Sequence, residues 1–130
     1  MIDNVSLRST IFRHLDGLVT APVAFCLYKK GVLAYIFDKK EVSLSELTDK
    51  FKANEGYLNV GLRVLASQGF LNYQIDTNTD LITISGNEKS EIAFSLFPLY
   101  KDAVDLLHYS MDFHPRLFEE APFERLKSIF

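Results

Sequence analysis

The sequence has a single cysteine, no tryptophan and four prolines among its 130 residues. A lone cysteine excludes an internal disulfide framework and any zinc site built from several cysteines. Cys26 lies in the apolar run 23–27, and no histidine stands near it in sequence to activate it. We therefore expect Cys26 to be a small buried hydrophobic residue and not a nucleophile.

Long hydrophobic runs are also missing. No apolar segment approaches the roughly 20 residues that a membrane span needs. The first dozen residues alternate between polar and apolar types and lack the pattern of a secretory signal. We accordingly expect a cytoplasmic protein with no membrane partner. The last residues are still apolar at Leu126, Ile129 and Phe130, which is typical of a fragment of a longer protein.

Motifs for catalysis, nucleotides and metals are absent as well. Gly56 and Gly61 fall inside a predicted helix, at the wrong spacing for a phosphate loop or a dinucleotide fingerprint. Gly61 is better explained as a point where another helix approaches closely. The three histidines, His14, His108 and His114, do not pair at helical spacing. We therefore predict no catalytic, cofactor-binding or metal-binding residue in this chain.

The residues that are present favour a folded globular domain. Apolar residues make up 48% of the chain and charged residues 24%, which is enough apolar material for a core. We divide the chain into N-terminal helices (1–42), a central unit (43–85) and C-terminal helices or a linker (86–130).

The N-terminal part predicts two helices before a glycine break. The first covers residues 5–16 and ends at Gly17, and the second begins near Thr20 with Pro22 in its first turn. Gly31 interrupts the pattern, which then continues for another apolar turn or two. Residues 39–41 are predicted to form a solvated loop.

The central unit begins with two short helices. Ser43 and Glu46 form a capping-box pattern at the start of the first helix. Asn54 can cap the second, which is predicted to run to Gln68, with Gly69 as its left-handed terminator. The inner stripe of this second helix is predicted to consist of Leu58, Leu62 and Leu65. Two helices joined by so few residues predict a helix-turn-helix.

Two strands follow at once. Residues 70–75 and 81–85 are rich in strand-forming residues, and residues 76–80 are typical of a turn. The predicted fold is mostly α with a small antiparallel hairpin, a winged helix-turn-helix with flanking helices. In the C-terminal part Asn87 or Ser90 can cap a helix, and Pro98 must break or kink it. A segment from 99 to 113 then continues, with Val104, Leu107 and Met111 on one stripe. Pro122 is predicted to open a last helix.

The elements that would read DNA in such a fold carry little positive charge. The second helix has Glu55 and Arg63 as its charged residues, and the wing offers Asp76 and Asp80 with no base. Phosphate contacts dominate affinity for DNA, so reading elements should be basic. We therefore expect no nucleic-acid partner. The polar side chains that could still touch base edges are Asn54, Asn59, Arg63 and Gln68.

Two stretches resemble a known family. Residues 15–22 and 31–36 resemble the opening helices of winged-helix methyltransferases, and the segment from 42 to 71 resembles the helix-turn-helix that follows in them. The family is the N-terminal dimerisation domain of S-adenosylmethionine-dependent O-methyltransferases, including those embedded in bacterial polyketide synthases. The resemblance covers residues 11–85 and implies a homodimer that covers the substrate pocket of a following catalytic domain.

The same resemblance implies that S-adenosylmethionine binds in that following domain, so no activity is expected from this chain alone. Two alternatives remain open. One is a winged-helix transcription regulator that binds DNA as a dimer, and the other is a stand-alone interaction domain. We expect aromatic residues on both flanks to serve an interface, namely Phe12, Phe25, Tyr28, Tyr35, Phe37, Phe94, Phe97, Tyr100, Tyr109 and Phe113.

Overall fold

The computed structural model describes residues 3–120. Six α-helices and three strands follow one another along this part of the chain: α1 (Asn4–Lys29), α2 (Val32–Lys39), β1 (Glu41–Ser43), α3 (Leu44–Phe51), α4 (Glu55–Ser67), β2 (Asn72–Ile75), β3 (Ile82–Ser85), α5 (Glu88–Ala93) and α6 (Leu99–Phe113). Single 3₁₀ turns cover Phe94–Leu96 and His114–Arg116. The helix predicted from Pro122 lies outside the described residues.

The N-terminal prediction of two helices was wrong, because α1 is one helix of 26 residues that contains both Gly17 and Pro22. An interior glycine costs a helix about 1 kcal/mol and a proline about 3 kcal/mol. Tertiary packing outweighs these costs. The C-terminal half of α1 buries Thr20, Ala24 and Leu27, and the helix contacts α2, α4 and α6.

The helix-turn-helix is confirmed. The Ser43 hydroxyl accepts a hydrogen bond from the Glu46 amide at 3.0 Å, and Asn54 caps α4 through the Tyr57 amide. The inner stripe of α4, Leu58, Leu62 and Leu65, is buried as predicted. The helix ends at Ser67, one residue earlier than expected, and Gly69 adopts the left-handed conformation with φ 82°.

The wing is present, but the sheet has three strands and not two. Glu41, predicted as loop, begins β1, which pairs antiparallel with β3, so the order is β1-β3-β2. Ile84 stands opposite both Val42 and Tyr73. Burial of Val42 and Ile84 in the core holds this short strand in place. The strands of the hairpin are shorter than predicted, at Asn72–Ile75 and Ile82–Ser85.

Hydrogen bonds at the start of α5 connect the C-terminal helices to the winged helix. Asn87 and Ser90 form a reciprocal capping box, so both predicted caps are used. The side-chain Nδ2 of Asn87 also donates to the main-chain oxygen of Gly69 at 3.0 Å, and Lys89 Nζ donates to the main-chain oxygen of Gln68 at 2.8 Å. The 3₁₀ turn ends at Leu96, and Pro98 is the N-cap residue of α6, so the helical run is broken here as predicted.

The core joins the helices to one face of the sheet. Its buried members are Ala24, Leu27, Val32, Leu33, Ile36, Val42, Leu44, Leu47, Leu58, Leu62, Leu65, Leu71, Ile84 and Phe97. Gly61 is the close-packing point that was predicted, since a Cβ atom there would lie 3.4 Å from Val23 Cγ1 of α1. Residues 3–120 are thus mostly helical with a small antiparallel sheet, in a winged-helix arrangement.

Within residues 3–120 no single helix has the length and hydropathy to cross a membrane. The pair α1 and α2 meets those criteria only when taken together, and it bends by 69° at the break between them.

Candidate functional site

Two helices form an arm with an unusually apolar surface. We define the helical arm as residues 4–19 of α1 together with α6. Every residue from 4 to 19 is exposed, although α1 packs against α6. Ile11, Leu15 and Leu18 follow one another at helical spacing with 58%, 48% and 53% of their surface exposed. The arm therefore keeps a continuous apolar stripe in contact with solvent.

The stripe on α1 is matched on α6. The predicted stripe of Val104, Leu107 and Met111 is only partly buried, and Met111 remains 63% exposed. A larger set of apolar side chains on the arm shares this exposure: Val5, Leu7, Phe12, Val19, Leu99, Leu106, Tyr109 and Phe113. Monomeric proteins rarely expose apolar surface over so long a continuous face, so the arm has the character of an interface.

Six of the ten aromatic residues expected at an interface pack instead in the interior of this chain, and Phe25 is half-buried on α1. Phe97 is 1% exposed, and its ring lies 5.3 Å from that of Phe70 and 5.8 Å from that of Tyr100. Tyr28, Tyr35, Phe37, Phe94 and Tyr100 pack against the same core. Where the C-terminal helices meet the rest of the fold, Phe94 and Phe97 contact the rings of Tyr28, Phe37 and Tyr100. The Tyr35 ring instead packs edge-on against Phe51 of α3. Of the predicted set, Phe12, Tyr109 and Phe113 remain exposed on the arm.

An apolar groove lies where α6 meets the winged helix. It encloses about 380 Å³ and is lined by Phe70, Ala93, Leu96, Phe97, Leu99, Tyr100 and Ala103. Burial raises the pKa of the Tyr100 phenol above its ordinary value. Leu99 and Ala103 also lie on α6, so the groove continues into the apolar face of the helical arm.

Two of the four polar residues that could touch base edges have their side chains engaged within the fold. The Asn54 side chain caps α4, and the side-chain oxygen Oδ1 of Asn59 accepts a hydrogen bond of 2.6 Å from the Tyr73 hydroxyl on β2. The main-chain oxygen of Gln68 accepts from Lys89. Arg63 is exposed on α4. Of the four candidates, Arg63 and Gln68 make no side-chain hydrogen bond within residues 3–120, and Arg63 is the charged one.

The wing is acidic and internally bonded. Asp76 Oδ1 accepts from the amides of Asn78 and Thr79, which closes the turn. Asp80 adopts a positive φ of 58°, a conformation that aspartate tolerates better than most residues. Both carboxylates lie at an exposed tip where a DNA-binding wing would meet phosphates. The tip of the wing therefore presents two carboxylates, and residues 72–85 contain no Lys or Arg.

The outer face of α4 carries a second apolar stripe that sequence reasoning missed. Tyr57 and Val60 are 81% and 58% exposed, and Val64 follows on the same side. A shallow cleft lies beside them, lined by Val60, Arg63, Val64 and Ser67. The sequence does contain a pattern that predicts this stripe, because the apolar residues 57, 60 and 64 repeat at helical spacing beside the inner leucine stripe.

The single cysteine was misassigned. Cys26 is exposed, because the buried side of α1 at this level is taken by Ala24 and Leu27. All three histidines, His14, His108 and His114, are exposed. His114 Nδ1 bonds the Ser110 carbonyl oxygen at 2.9 Å. Among the described residues no group of three potential ligands is placed to hold a metal ion.

One exposed hydrogen bond changes the predicted capping box at α3. The Glu46 carboxylate accepts from the Tyr35 hydroxyl at 3.0 Å, where a reciprocal bond to the Ser43 amide was expected. Partial desolvation raises the pKa of the Tyr35 phenol above its ordinary value, and the bond to Glu46 raises it further. The ammonium groups of Lys39 and Lys50 lie 5.8 and 5.7 Å from the centre of the Tyr35 ring. This cluster joins α2 to α3 and is structural.

Several solved structures are similar to this chain in outline. The YusO protein from Bacillus subtilis has 18% identity and a TM-score of 0.47, covering 98% of this chain and 93% of that one. A protein described as a MarR family transcriptional regulator from Listeria monocytogenes, complexed with 26mer DNA, has 17% identity and a TM-score of 0.47, over 99% and 85%. Lactococcus lactis ZitR has 15% identity and a TM-score of 0.42, over 95% and 89%.

Comparison with curated protein sequences gives no significant match. The sequence profile of the AprA N-terminal domain, in contrast, matches residues 7–73. The match runs from the exposed start of α1 through the whole helix-turn-helix and into β2. Because it spans just over half of the chain, it identifies the family: the chain belongs to the AprA N-terminal domain family.

Proposed function

We propose that this chain is the non-catalytic N-terminal winged-helix module of an S-adenosylmethionine-dependent methyltransferase, and that it forms a homodimer through the helical arm. The observation that carries the proposal is the exposed apolar stripe of α1 and α6. In this role the module also covers the substrate pocket of a following catalytic domain, as the resemblance to methyltransferase N-terminal domains implies.

The physical argument concerns how helices bury apolar surface. A pair of packed helices can cover only the sides that face each other, and a broad apolar face needs a further layer. On α1 the exposed residues Leu7, Ile11, Leu15 and Leu18 occupy one broad side, with Phe12 and Val19 beside them. A second copy placed on this face completes a four-helix arrangement, and a two-fold dimer is the commonest way to supply it.

A matched pair of substitutions on α1 tests the arm. Ile11→Glu places a charge in the apolar stripe, and Ser9→Glu places the same charge on the exposed polar side two residues away. We expect Ile11→Glu to raise the dimer dissociation constant by about tenfold or more, since an unpaired charge would be desolvated at the contact. Ser9→Glu should leave it nearly unchanged. Sedimentation velocity over a concentration series measures both.

Two results would count against the arm as the interface. One is a wild-type chain that stays monomeric at high concentration while folded by circular dichroism. The other is an equal loss of association in both variants, which would point to net charge and not to the stripe.

The catalytic side of the proposal follows from the methyltransferase resemblance. The cofactor and the methyl transfer belong to the following domain, and this chain supplies no ligand to S-adenosylmethionine. A cytoplasmic location suits that role. Titration of the isolated chain with S-adenosylmethionine should give no heat beyond dilution.

A winged-helix regulator that binds DNA as a dimer is the second candidate. The observation that favours it is Arg63, exposed on the outer face of α4, where a recognition helix would meet the major groove. Against it stand the acidic wing and the hydrogen bonds that Asn54 and Asn59 make within the chain. The two functions share a dimeric arm and differ in whether the α4 surface binds DNA.

A further inference from the structure

Helix α6 carries a second apolar stripe beside the partly buried one. Leu99, Leu106 and Phe113 are seven residues apart, which places them on one side of the helix, and all three are exposed. Ala103 and Ser110 fall between them on the same side, where small residues let another helix approach closely. We call Leu99, Leu106 and Phe113 the outer stripe of α6.

The two ends of the outer stripe differ in shape. At one end lies the apolar groove, since Leu99 and Ala103 are part of its lining. At the other end the chain passes through the 3₁₀ turn His114–Arg116, and Phe118 follows with 97% of its surface exposed. The arm therefore has a hollow at one end and a projecting apolar ring at the other.

Short local contacts close the turn that carries the projecting ring. The Arg116 guanidinium lies 3.3 Å from Glu119 Oε2 and 3.6 Å from Asp112 Oδ1. The Glu119 amide also donates to the Arg116 carbonyl oxygen at 3.1 Å. Each of these surface ion pairs contributes little to stability by itself. Together with the amide bond they hold the chain on both sides of Phe118.

The groove has room for an aromatic ring from another molecule. It encloses about 380 Å³, whereas a cavity of about 150 Å³ is enough to hold benzene. Its lining side chains are apolar apart from the Tyr100 hydroxyl, so a charged occupant would lose its hydration without compensation. The 15 residues of α6 span about 22 Å, and they separate the groove from Phe118 of the same chain. An aromatic ring of this kind would have to come from a second copy.

We propose that α6 packs antiparallel against α6 of a second copy, about a two-fold axis at Leu106, and that Phe118 of each copy enters the groove of the other. Leu106 is the midpoint of the outer stripe, seven residues from both Leu99 and Phe113. Antiparallel packing therefore sets Leu99 of one copy opposite Phe113 of the other, and Phe118 continues past Leu99 toward the groove. The inference rests on the proposed dimer and specifies how its two arms meet.

The direction of packing follows from the different ends of the arm. A parallel arrangement would bring ring to ring and leave both grooves empty, whereas the antiparallel arrangement fills two grooves at once by symmetry. The groove is then complete only in the dimer, since one of its occupants comes from the second copy. The two winged helices lie at opposite ends of the assembly.

Tryptophan fluorescence tests the position of the ring. The chain contains no tryptophan, so Phe118→Trp introduces a single reporter. Its emission should shift to shorter wavelength as rising concentration drives dimerisation, because the indole leaves water for the groove. Tyr57→Trp is the matched control, an aromatic position on α4 that is 81% exposed and outside the contact. Its emission should remain that of an exposed indole, while sedimentation velocity measures the dimer fraction of both samples.

Truncation of the ring tests its contribution to the contact. Phe118→Ala should raise the dimer dissociation constant by about tenfold or more, as the loss of an aromatic anchor from a pocket does. Tyr57→Ala removes an equally exposed ring elsewhere and should leave the constant nearly unchanged. Circular dichroism checks that both variants are folded.

Disulfide trapping tests the axis. In a Cys26→Ser background, Leu106→Cys lies at the proposed axis and should form a disulfide between two copies under mild oxidation. His108→Cys is the matched control, because two residues along a helix turn the side chain to the opposite side. It should remain unlinked.

The outcomes separate this inference from the proposed dimer. A dimer in which the Phe118→Trp emission stays that of an exposed indole would overturn the inference alone. A shifted emission that does not depend on concentration would do the same, since the ring would then be covered within its own chain. Equal cross-linking at residues 106 and 108 would contradict the axis. A folded chain that is monomeric at every concentration would remove the proposed dimer, and this arrangement with it.

Discussion

Gly86 lies between β3 and α5, where the chain passes close to the ring of Phe37. A Cβ atom at this position would lie 2.8 Å from Phe37 Cδ1, closer than real Cβ contacts come. Phe37 also packs edge-on against Phe94, with ring centres 5.3 Å apart, so it has little room to move. The absence of a side chain at Gly86 therefore allows the C-terminal helices to dock on α2.

We expect Gly86→Ala to lower the free energy of unfolding by about 1 to 3 kcal/mol, as overpacking of a filled site does. Gly17→Ala is the matched control, since nothing lies within 4 Å of its Cβ position on the exposed part of α1. That change should raise stability by about 0.5 to 1 kcal/mol through helix propensity. Urea unfolding at one fixed protein concentration measures both. Shifts in the same direction would contradict this explanation.

At the residue scale, sequence predicted what depends on local bonding and missed what depends on distant neighbours. Ser43, Asn54 and Asn87 are caps as expected, because a capping bond forms within three residues of the chain. The exposure of Cys26 could not be predicted from its neighbours in the sequence. It depends on which side of α1 faces α4, and the apolar run around it allowed either orientation.

Helix α1 is the element in which local and tertiary preferences conflict most. Pro22 lies in its interior, has no N–H to donate to the carbonyl of the preceding turn, and crowds that carbonyl with its ring. Packing of the C-terminal half against α2 and α4 holds the helix together through this site.

Replacing this proline shows how much strain the helix carries. Pro22→Ala should raise the free energy of unfolding by about 1 to 2 kcal/mol. The regained main-chain hydrogen bond and the relieved clash stabilise the helix by more than the unfolded chain gains in conformational entropy when the rigid ring is removed. Far-ultraviolet circular dichroism should show equal or slightly greater helicity, and urea unfolding gives the free energy. Unchanged or lower stability would mean that the contacts of the Pro22 ring outweigh its helix-breaking cost.

Elements with strong periodicity were predictable, and a short element stabilised by its partner was not. The stripe of α4 and the hairpin stood out because each has several residues in register. Strand β1 has three residues, and only its pairing with β3 identifies it. The continuity of α1 was missed for the same reason. Gly17 and Pro22 predict a break in the helix, and the tertiary packing that keeps it continuous is not visible in the sequence.

For the whole molecule, the balance of charge separates the two candidate functions. The net charge is −3, and the exposed wing contributes Asp76 and Asp80 without a base. A gel shift at about 50 mM salt, where phosphate contacts are strongest, should show at most weak non-specific retardation. A variant with Gln74→Lys and Thr77→Lys on the exposed wing should bind DNA more tightly than the wild type. A specific wild-type complex tighter than micromolar would favour the regulator.

Homodimerisation through the arm is the central claim, and isotope-filtered NMR on a mixture of labelled and unlabelled chains tests it most directly. Methyl groups of Ile11, Leu15 and Leu18 lie on the exposed stripe of α1 and should touch the second copy. We predict cross-peaks between chains at these methyls. A mixed sample in which these methyls show no contact between chains, while the protein is folded and concentrated, would contradict the account.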